Sequence, residues 1–273
     1  PFPSRPATGD RPMNPTLSVA RSGLEAQDMR IRTIANNLAN VSTTGFKRDR
    51  ADFATLAYQN IRQVGAPNGG DAQLAVGLAM GAGVRVAGTE RIHAQGSLTM
   101  TNNALDLAIE GEGFFQVELP DGRLAYTRDG AFTLDGQGRV VTSEGFPVTP
   151  GLTIPTGAQA ITIAADGTVS ATLAGEAEPT ELGQIQTARF LNPAGLLPIG
   201  DNLLVETPAS GAAEPGQPGL EGLGRLRQGA LEASNVNMVE ELVAMIETQR
   251  AYEVNSKVVE AADQMMRNAA QMV

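Results

Sequence analysis

The 273-residue sequence contains no cysteine and only one histidine, His93. The absence of cysteine excludes disulfide bonds and thiolate zinc sites, and a single histidine leaves little with which to hold a metal ion. A Ser-His-Asp triad would have to use His93, and the sequence has no Gly-x-Ser-x-Gly motif to present a serine nucleophile. We therefore predict no metal, no cofactor and no catalytic site, and we expect His93 to have a surface or packing role.

Aromatic side chains, basic charge and long apolar runs are also scarce. Aromatic residues make up 4% of the chain, so the core must be built mainly from aliphatic side chains. The formal net charge of −10 disfavours a nucleic-acid partner, which would require a basic surface. No apolar run reaches the roughly 18 residues that a membrane helix needs, so we predict no membrane insertion. Residues 1–13 are rich in proline and lack the apolar stretch of a cleavable signal peptide, and we expect a disordered leader there.

The middle of the chain has the periodicity of β-strands. Between residues 84 and 207, apolar and polar residues alternate, as at Leu105, Leu107 and Ile109. Asp-Gly pairs interrupt these runs, and Asp-Gly favours tight hairpin turns. These features predict an antiparallel β domain over residues 84–207. The pairs expected to form turns are Asp121-Gly122, Asp129-Gly130, Asp135-Gly136 and Asp166-Gly167.

Both ends of the chain have the periodicity of long helices. Within residues 14–45, apolar residues recur at alternating three- and four-residue spacing, as in a coiled-coil seam. Residues 237–273 form a second such region, with Asn237 placed to cap the helix and Glu240 in its first turn. We expect the two helices to pack together. The predicted fold class is therefore α+β, a discontinuous coiled-coil domain of long N- and C-terminal helices plus an antiparallel all-β domain.

Two segments separate the predicted helices from the predicted β domain. Residues 46–83 have a mixed composition that becomes rich in glycine, which is typical of an extended arm or loop. Residues 208–236 begin with a run rich in proline and glycine, and we interpret them as a connector.

The stretch from Ile34 to Arg48 contains a local conflict. It begins as a helix, but three asparagines interrupt it, and asparagine competes for backbone hydrogen bonds. Gly45 stands where a left-handed residue would close the helix, and Phe46 provides an apolar anchor at its exit. Such conflicts tend to mark positions that serve something other than local stability.

Three segments of the sequence resemble a known family. The N-terminal SGLEAQDMRIRTIANNLANVSTTGFKR and the C-terminal SNVNMVEELVAMIETQRAYEVNSKVVEAADQMM look like the paired signatures of bacterial flagellar rod and hook proteins. The intervening GEGFFQVELPDGRLAYTRDGAFTLDGQGRVVTSEGFPV is similar to the β core of the same family. Within that family, an additional segment at about residues 58–78 favours the distal rod class, with a proximal rod or hook-type protein as the alternative.

The resemblance implies a structural subunit of a hollow helical drive shaft that transmits torque from motor to hook and through which axial proteins are exported. The implied partners are further copies of the chain, proximal rod proteins below, the hook protein above, the surrounding L and P rings, and the flagellar type III export apparatus. The implied location is the periplasm-spanning rod of the basal body, reached without a cleaved signal peptide. Segment 58–78 is expected to make lateral contacts that keep the rod straight.

We expect the assembly contacts to come from the two terminal signatures and from segment 58–78. Three asparagines that weaken an isolated helix could form hydrogen bonds across subunits once packed. The expected interface residues are Ile34, Asn36, Asn37, Leu38, Asn40, Val41, Gly45, Phe46, Tyr58, Ile61, Leu74, Leu78, Asn235, Asn237, Leu242, Ile246, Gln249, Arg250, Tyr252 and Asn255.

Two other classes of function compete with a polymer subunit. Asp106, Glu110 and Glu112 alternate along one predicted strand, and a carboxylate pair could serve a carbohydrate-active enzyme. The scarcity of aromatic residues for stacking on sugars disfavours that reading. A monomeric binding adaptor is the other alternative, and it predicts terminal helices that are stable in dilute solution.

Overall fold

The computed structural model describes residues 15–62, 78–173 and 178–271. Two helices and many antiparallel strands confirm a mixed α+β protein. The described chain divides into two compact units. One, here called the helical unit, comprises residues within Pro1–Asn36, Arg50–Glu90 and Val239–Val273. The other, the β unit, comprises Asn37–Asp49 and Arg91–Met238.

Helix α1 spans Pro15–Ala39 and helix α2 spans Met238–Gln271. Helix α2 begins directly after Asn237 and has Glu240 and Glu241 in its first turn, where the helix dipole favours negative charge. Helix α1 ends earlier than predicted. The amide of Asn40 bonds to the carbonyl of Asn37 at 3.2 Å, and the amide of Val41 bonds to that of Leu38 at 3.4 Å. These three-residue bonds tighten the chain into turns, so the helix does not continue to residue 45.

Four strands lie between α1 and the main β region. They are β1 (Asp49–Thr55), β2 (Gln59–Arg62), β3 (Leu78–Met80) and β4 (Val84–Arg91). Strand β1 pairs with β4, and β2 pairs with β3 in antiparallel register. The predicted arm over residues 46–83 is therefore built largely from paired strands in its described part. Leu74 and the side chain of Ile61 lie outside the described residues.

The β unit contains the remaining described strands. Its largest sheet has six strands in the order β15-β16-β8-β7-β14-β17, and a second sheet has the order β11-β12-β13. Three two-stranded pairs complete it, β9 with β10, β6 with β18 and β5 with β19. The strands are β5 (Leu98–Met100), β6 (Leu107–Glu110), β7 (Phe114–Glu118), β8 (Leu124–Thr127), β9 (Thr133–Leu134), β10 (Val140–Val141), β11 (Ala158–Ile163), β12 (Thr168–Leu173), β13 (Thr180–Gln184), β14 (Thr187–Arg189), β15 (Leu197–Gly200), β16 (Leu203–Val205), β17 (Glu214–Gly216), β18 (Arg225–Gln228) and β19 (Ala230–Glu232).

The connector predicted at residues 208–236 is wrong, because it contains three paired strands, of which β17 lies at an edge of the six-stranded sheet. Strand β18 pairs with β6, and β19 pairs with β5, so this part of the chain completes sheets begun more than a hundred residues earlier. Leu226 and Ala230 are buried in it. Each strand has only three or four residues and is flanked by glycine, which hides the alternation that identifies longer strands.

The core of the β unit is mainly aliphatic, with a few aromatic contacts. The rings of Phe115 and Phe132 meet edge to face, with centroids 5.1 Å apart. A second cluster surrounds Phe190, whose ring makes edge contacts with Tyr126 and Phe114. Five aromatic side chains thus pack edge to face within the β unit, and such pairs add stability beyond their buried area.

Three of the four Asp-Gly pairs join paired antiparallel strands, as predicted. Asp121-Gly122 links β7 to β8, Asp135-Gly136 links β9 to β10, and Asp166-Gly167 links β11 to β12. Asp129-Gly130 joins β8 to β9, which do not pair with each other. A Cβ at residue 130 would collide with the carbonyl oxygen of Leu107, so this glycine permits close backbone packing instead of a hairpin turn.

Candidate assembly surfaces

Gly45 adopts the left-handed conformation that the sequence predicts, with φ +68°. It does not close α1, which ends at Ala39. Its amide donates to the carbonyl of Glu232 at 2.8 Å, and a Cβ at this position would lie 2.7 Å from the carbonyl carbon of Arg128. Both the backbone conformation and the lack of space therefore require glycine. The amide of Asn235 also donates to the carbonyl of Phe46 at 3.4 Å, so the two terminal signatures meet within the β unit.

A buried ion cluster lies beside Gly45, and sequence reasoning did not anticipate it. The Glu232 carboxylate is fully buried and accepts hydrogen bonds from the Lys47 ammonium, from Arg128 at 3.1 Å and from the Gly96 amide at 2.8 Å. Lys47 also donates to the carbonyl of Ala94 at 2.8 Å. Burial lowers the pKa of Lys47 and that of Arg128, while Glu232 opposes both shifts. Each of the three side chains looks like an ordinary surface charge in the sequence, because its partners are distant along the chain.

Two asparagines use their amides inside the chain. The Asn37 side chain is buried, its Oδ1 accepts from the Asp49 amide at 2.9 Å, and its Nδ2 donates to the Asp49 carbonyl at 2.8 Å. The Asn235 Oδ1 accepts from the Arg48 amide at 2.7 Å, and its Nδ2 donates to the carbonyls of Ile92 and Ala94. The sequence predicts bonds across subunits for Asn37 and an interface position for Asn235. Here both amides fix irregular backbone within the β unit, because an asparagine amide can imitate a paired strand.

His93 lies near the buried ion cluster of Lys47, Arg128 and Glu232. Its ring meets Phe114 edge to face at 5.5 Å, and its Nδ1 is buried without a hydrogen-bond partner among the described residues. Burial lowers the pKa of His93 to about 4, and the nearby charges of Lys47, Arg91 and Arg128 add to the shift. A neutral imidazole fits this environment, since a protonated ring would face three cations.

Helix α2 buries polar or small residues and exposes apolar ones. Glu241, Thr248 and Ala262, which lie at multiples of seven residues along the helix, are buried. Much of the apolar content of the helix faces water instead, which reverses the usual pattern of an amphipathic helix. We call these exposed side chains the α2 apolar face. Its members, each at least 40% exposed, are Val239, Leu242, Val243, Ile246, Val254, Val258 and Met265.

Helix α1 has the opposite character. Its exposed surface carries the ion pairs Arg21–Glu25 and Asp28–Arg32, each spaced by four residues. Ala26 and Ile34 on it are buried. Such exposed pairs keep a helix surface soluble, and they contribute little stability. Of the two helices, α2 therefore carries the surface that lacks an apolar partner.

An apolar groove of about 500 Å³ lies within the helical unit, where α1, α2 and the β3–β4 connection meet. A Cβ on Gly23 would lie 3.3 Å from the Asn255 Nδ2, so the two helices approach closely at this point. The amide of Val84 donates to the Ser22 hydroxyl at 3.2 Å and holds the start of β4 against α1. Val258 belongs to both the groove and the α2 apolar face, so the two surfaces are continuous.

The residues expected at interfaces fall into two groups. Those of the N-terminal signature lie mostly inside the structure, with Ile34, Gly45 and Phe46 buried and Leu38, Asn40 and Val41 half-buried, while Asn36 is exposed. Those elsewhere are largely at the surface. The exposed ones are Tyr58, Leu78, Asn237, Leu242, Ile246, Gln249, Arg250 and Tyr252, and Asn255 is half-buried.

Two kinds of site are absent from the described part of the chain. Residues 15–62, 78–173 and 178–271 contain no group of three or more histidine, aspartate or glutamate side chains able to hold a metal ion. Neither described helix combines the length and the apolar content needed to cross a membrane.

Comparison with known proteins identifies the family. The chain is 50% identical over 260 residues to the flagellar basal-body rod protein FlgG of Buchnera aphidicola subsp. Acyrthosiphon pisum, an alignment that covers 95% of this chain and 100% of that protein. This chain belongs to the flagellar basal-body rod protein family. The flagellar basal-body rod protein FlgG of Caulobacter vibrioides is 48% identical over 94% of this chain and 98% of its own length. The flagellar hook-basal body complex protein FlhP of Bacillus subtilis is 31% identical over 92% of this chain and 96% of its own length.

Three family models match separate parts of this rod-family chain. The model of the flagella basal body rod protein matches residues 17–47, and that of the flagellar hook protein FlgE/F/G D1 domain matches residues 108–171. The model of the flagellar basal body rod FlgEFG protein C-terminal region matches residues 227–272. These are the three regions in which the sequence resembled the family. The family is one of structural rod proteins and not a family of enzymes.

Proposed function

We propose that this chain is the structural subunit of the flagellar distal rod, and that it polymerises into a hollow helical shaft that transmits torque from motor to hook. Relatives named as rod proteins align over nearly their whole length, which supports membership of the rod itself. The observation that carries polymerisation is the α2 apolar face, which a subunit on its own leaves in water. Contiguous exposed apolar surface of this kind marks interaction sites.

The geometry of α2 supports packing on two sides. Its buried residues recur at seven-residue spacing, as in the seam of a coiled coil, and Gly23 of α1 meets Asn255 of α2. We infer that the two terminal helices form one discontinuous coiled-coil domain. The α2 apolar face then packs against other copies, and each apolar side chain that becomes buried contributes on the order of 1 kcal/mol.

A helical polymer needs contacts that do not close on themselves. In such heterologous contacts, different surfaces of the same chain meet, so each subunit must offer more than one face. The α2 apolar face and the continuous groove of the helical unit are two distinct surfaces of this kind. Exposed Tyr58 and Leu78, at the ends of the segment implied by the family to make lateral contacts, would add a third.

A position in the distal rod would bring this subunit into contact with other flagellar proteins. Proximal rod proteins would lie below this subunit and the hook protein above, with the L and P rings around the shaft. The flagellar type III export apparatus would deliver the chain, without a cleaved signal peptide, to the periplasm-spanning rod. A proximal rod or hook-type role is the second candidate, because the matched family models are shared with hook proteins and FlhP aligns at 31% identity.

Replacement of one residue in the α2 apolar face tests the proposal. Ile246→Asp places a charge in the centre of that face, and Glu247→Asp on the neighbouring exposed position is the matched control. Electron microscopy across a concentration series should show tubes for the parent chain and for the control. The Ile246→Asp chain should remain monomeric with unchanged circular dichroism. Tubes of Ile246→Asp at the parent concentration would contradict a role for this face in assembly.

A further inference from the structure

Among the described residues, the two larger sheets of the β unit each end in two edge strands. The six-stranded sheet ends at β15 and β17, and the three-stranded sheet ends at β11 and β13. An open edge presents unpaired backbone donors and acceptors, which another chain can use to add a strand. A subunit that assembles through other surfaces is held close to its neighbours at high local concentration. Its sheet edges must therefore not accept a strand from another copy.

Both edge strands of the six-stranded sheet contain a proline. Pro198 lies within the four-residue β15 and pairs with Leu204, and Pro215 is the central residue of the three-residue β17 and pairs with Ala188. Both prolines are exposed. Proline has no N–H, and within a sheet it is tolerated where that position faces away from the neighbouring strand. Each edge therefore lacks a donor where an incoming strand would need one.

The edge at β15 would be the more hazardous of the two without its proline. Leu197 is 55% exposed and Ile199 is 43% exposed, so the strand presents apolar side chains beside its unpaired backbone. A register shift between Pro198 and Gly200 further disturbs the strand. The edge at β17 also carries an ion pair between Arg189 and Glu214 at 2.8 Å. Short strands, charge, proline and irregular register are the features by which natural sheets discourage edge pairing.

The three-stranded sheet shows irregularities at both of its ladders. The register between β11 and β12 shifts between Ala158 and Ala160, and that between β12 and β13 shifts between Val169 and Ser170. Register shifts of this kind bend a strand and increase its local twist, so it pairs poorly with a straight strand from another chain. Each of the four edge strands thus carries a proline or lies at a register shift. At β11 the Gln228 side chain also accepts from the Ile163 amide at 3.1 Å and donates to the Ile161 carbonyl at 2.9 Å.

We propose that Pro198 and Pro215 keep the edges of the six-stranded sheet closed to strand addition by a second copy of this chain. The β unit then takes part in assembly through side-chain contacts alone. Loss of the prolines would open a competing route to cross-β aggregates.

The double substitution Pro198→Val and Pro215→Val in the full chain tests this directly. It restores one outward N–H to each edge, and we expect cross-β aggregates, detected by thioflavin fluorescence, to begin at about a fivefold to tenfold lower protein concentration, the effect of one added hydrogen bond. Pro120→Val is the matched control, because Pro120 is exposed in the β7–β8 turn and not on an edge. Adding Leu197→Lys to the double variant should move the onset concentration part of the way back towards the parent value, since lysine opposes pairing at the β15 edge and leaves the β17 edge unchanged.

The three variants also separate edge pairing from unfolding. Aggregation by a merely destabilised chain would accompany a lower melting temperature, and its onset concentration would not change on adding Leu197→Lys. The proposal would be overturned if the double variant aggregated at the same concentration as the parent chain. It would also be overturned if Pro120→Val aggregated at the same concentration as the double variant. Tube formation through the helices, scored by electron microscopy, is a separate readout that reports on the rod function and not on the edges.

Discussion

Removing the charge of Glu232 is the sharpest test of how much the buried ion cluster stabilises the β unit. The Glu232 side chain is fully buried, and the side chains of Lys47 and Arg128 are only 3% and 6% exposed. Glu232→Gln keeps the shape of the side chain and one oxygen for the Gly96 amide. It leaves two buried cations without a counter-charge, because no other carboxylate is bonded to either within the described residues.

The expected cost is large for a single substitution. Breaking a buried ion pair by removing one partner costs about 3–5 kcal/mol, most of it from the uncompensated charge that stays buried. We therefore expect urea unfolding, followed by circular dichroism, to show a loss of about 3–5 kcal/mol for Glu232→Gln. The triple variant Lys47→Met, Arg128→Met, Glu232→Leu should recover much of that loss, since it removes all three charges together.

Glu214→Gln provides the matched control. Glu214 pairs with Arg189 at 2.8 Å, but their side chains are 61% and 40% exposed, and water screens such pairs strongly. We expect the urea midpoint of Glu214→Gln to stay close to that of the parent chain. If Glu232→Gln destabilised the protein no more than Glu214→Gln does, the buried cluster would contribute little, and the reasoning from burial would be refuted.

Two further substitutions test the conformation of Gly45 and the protonation of His93. Gly45→Ala should lower the free energy of unfolding by at least about 2 kcal/mol more than Gly122→Ala does, which is about the strain of a crowded left-handed residue. Both glycines have a positive φ, but of the two only Gly45 lies against other backbone. Equal losses in urea unfolding would show that space at Gly45 is not limiting. For His93, a folded-state pKa of about 4 lies below the unfolded value near 6.5, so its contribution to stability is complete above pH 6.5 and is lost as the pH falls towards 4. The free energy of unfolding should change by at most about 1.4 kcal/mol per pH unit from this group. A pH series of unfolding curves should lose this component in His93→Gln. A series that His93→Gln left unchanged would contradict a buried neutral imidazole.

Local patterns in the sequence were sufficient for the helices and most hairpin turns. The start of α2 after Asn237 and the left-handed Gly45 depend on a few neighbouring residues, and both agree with the structure. The end of α1 and strands β18 and β19 did not follow from local patterns. Short segments with mixed propensity take the conformation that their distant partners impose, as β6 does on β18.

The candidate assembly surfaces were likewise predicted only in part from the sequence. The apolar content of α2 was visible in the sequence, but which side of the helix it occupies was not, since periodicity cannot tell a buried stripe from an exposed one. The asparagines were recognised as a local conflict. Only the structure showed that the amide of Asn37 is bonded to Asp49 and that of Asn235 to Arg48, Ile92 and Ala94.

The sequence by itself determined the α+β class, the two terminal helices and membership of the rod family, because these depend on periodicity and on local motifs. The tertiary structure alone decided that Lys47, Arg128 and Glu232 form one buried cluster and that Pro198 and Pro215 stand at sheet edges. The physical reason is that burial and strand order are properties of contacts between residues far apart in the chain. No single stretch of sequence contains both partners of such a contact.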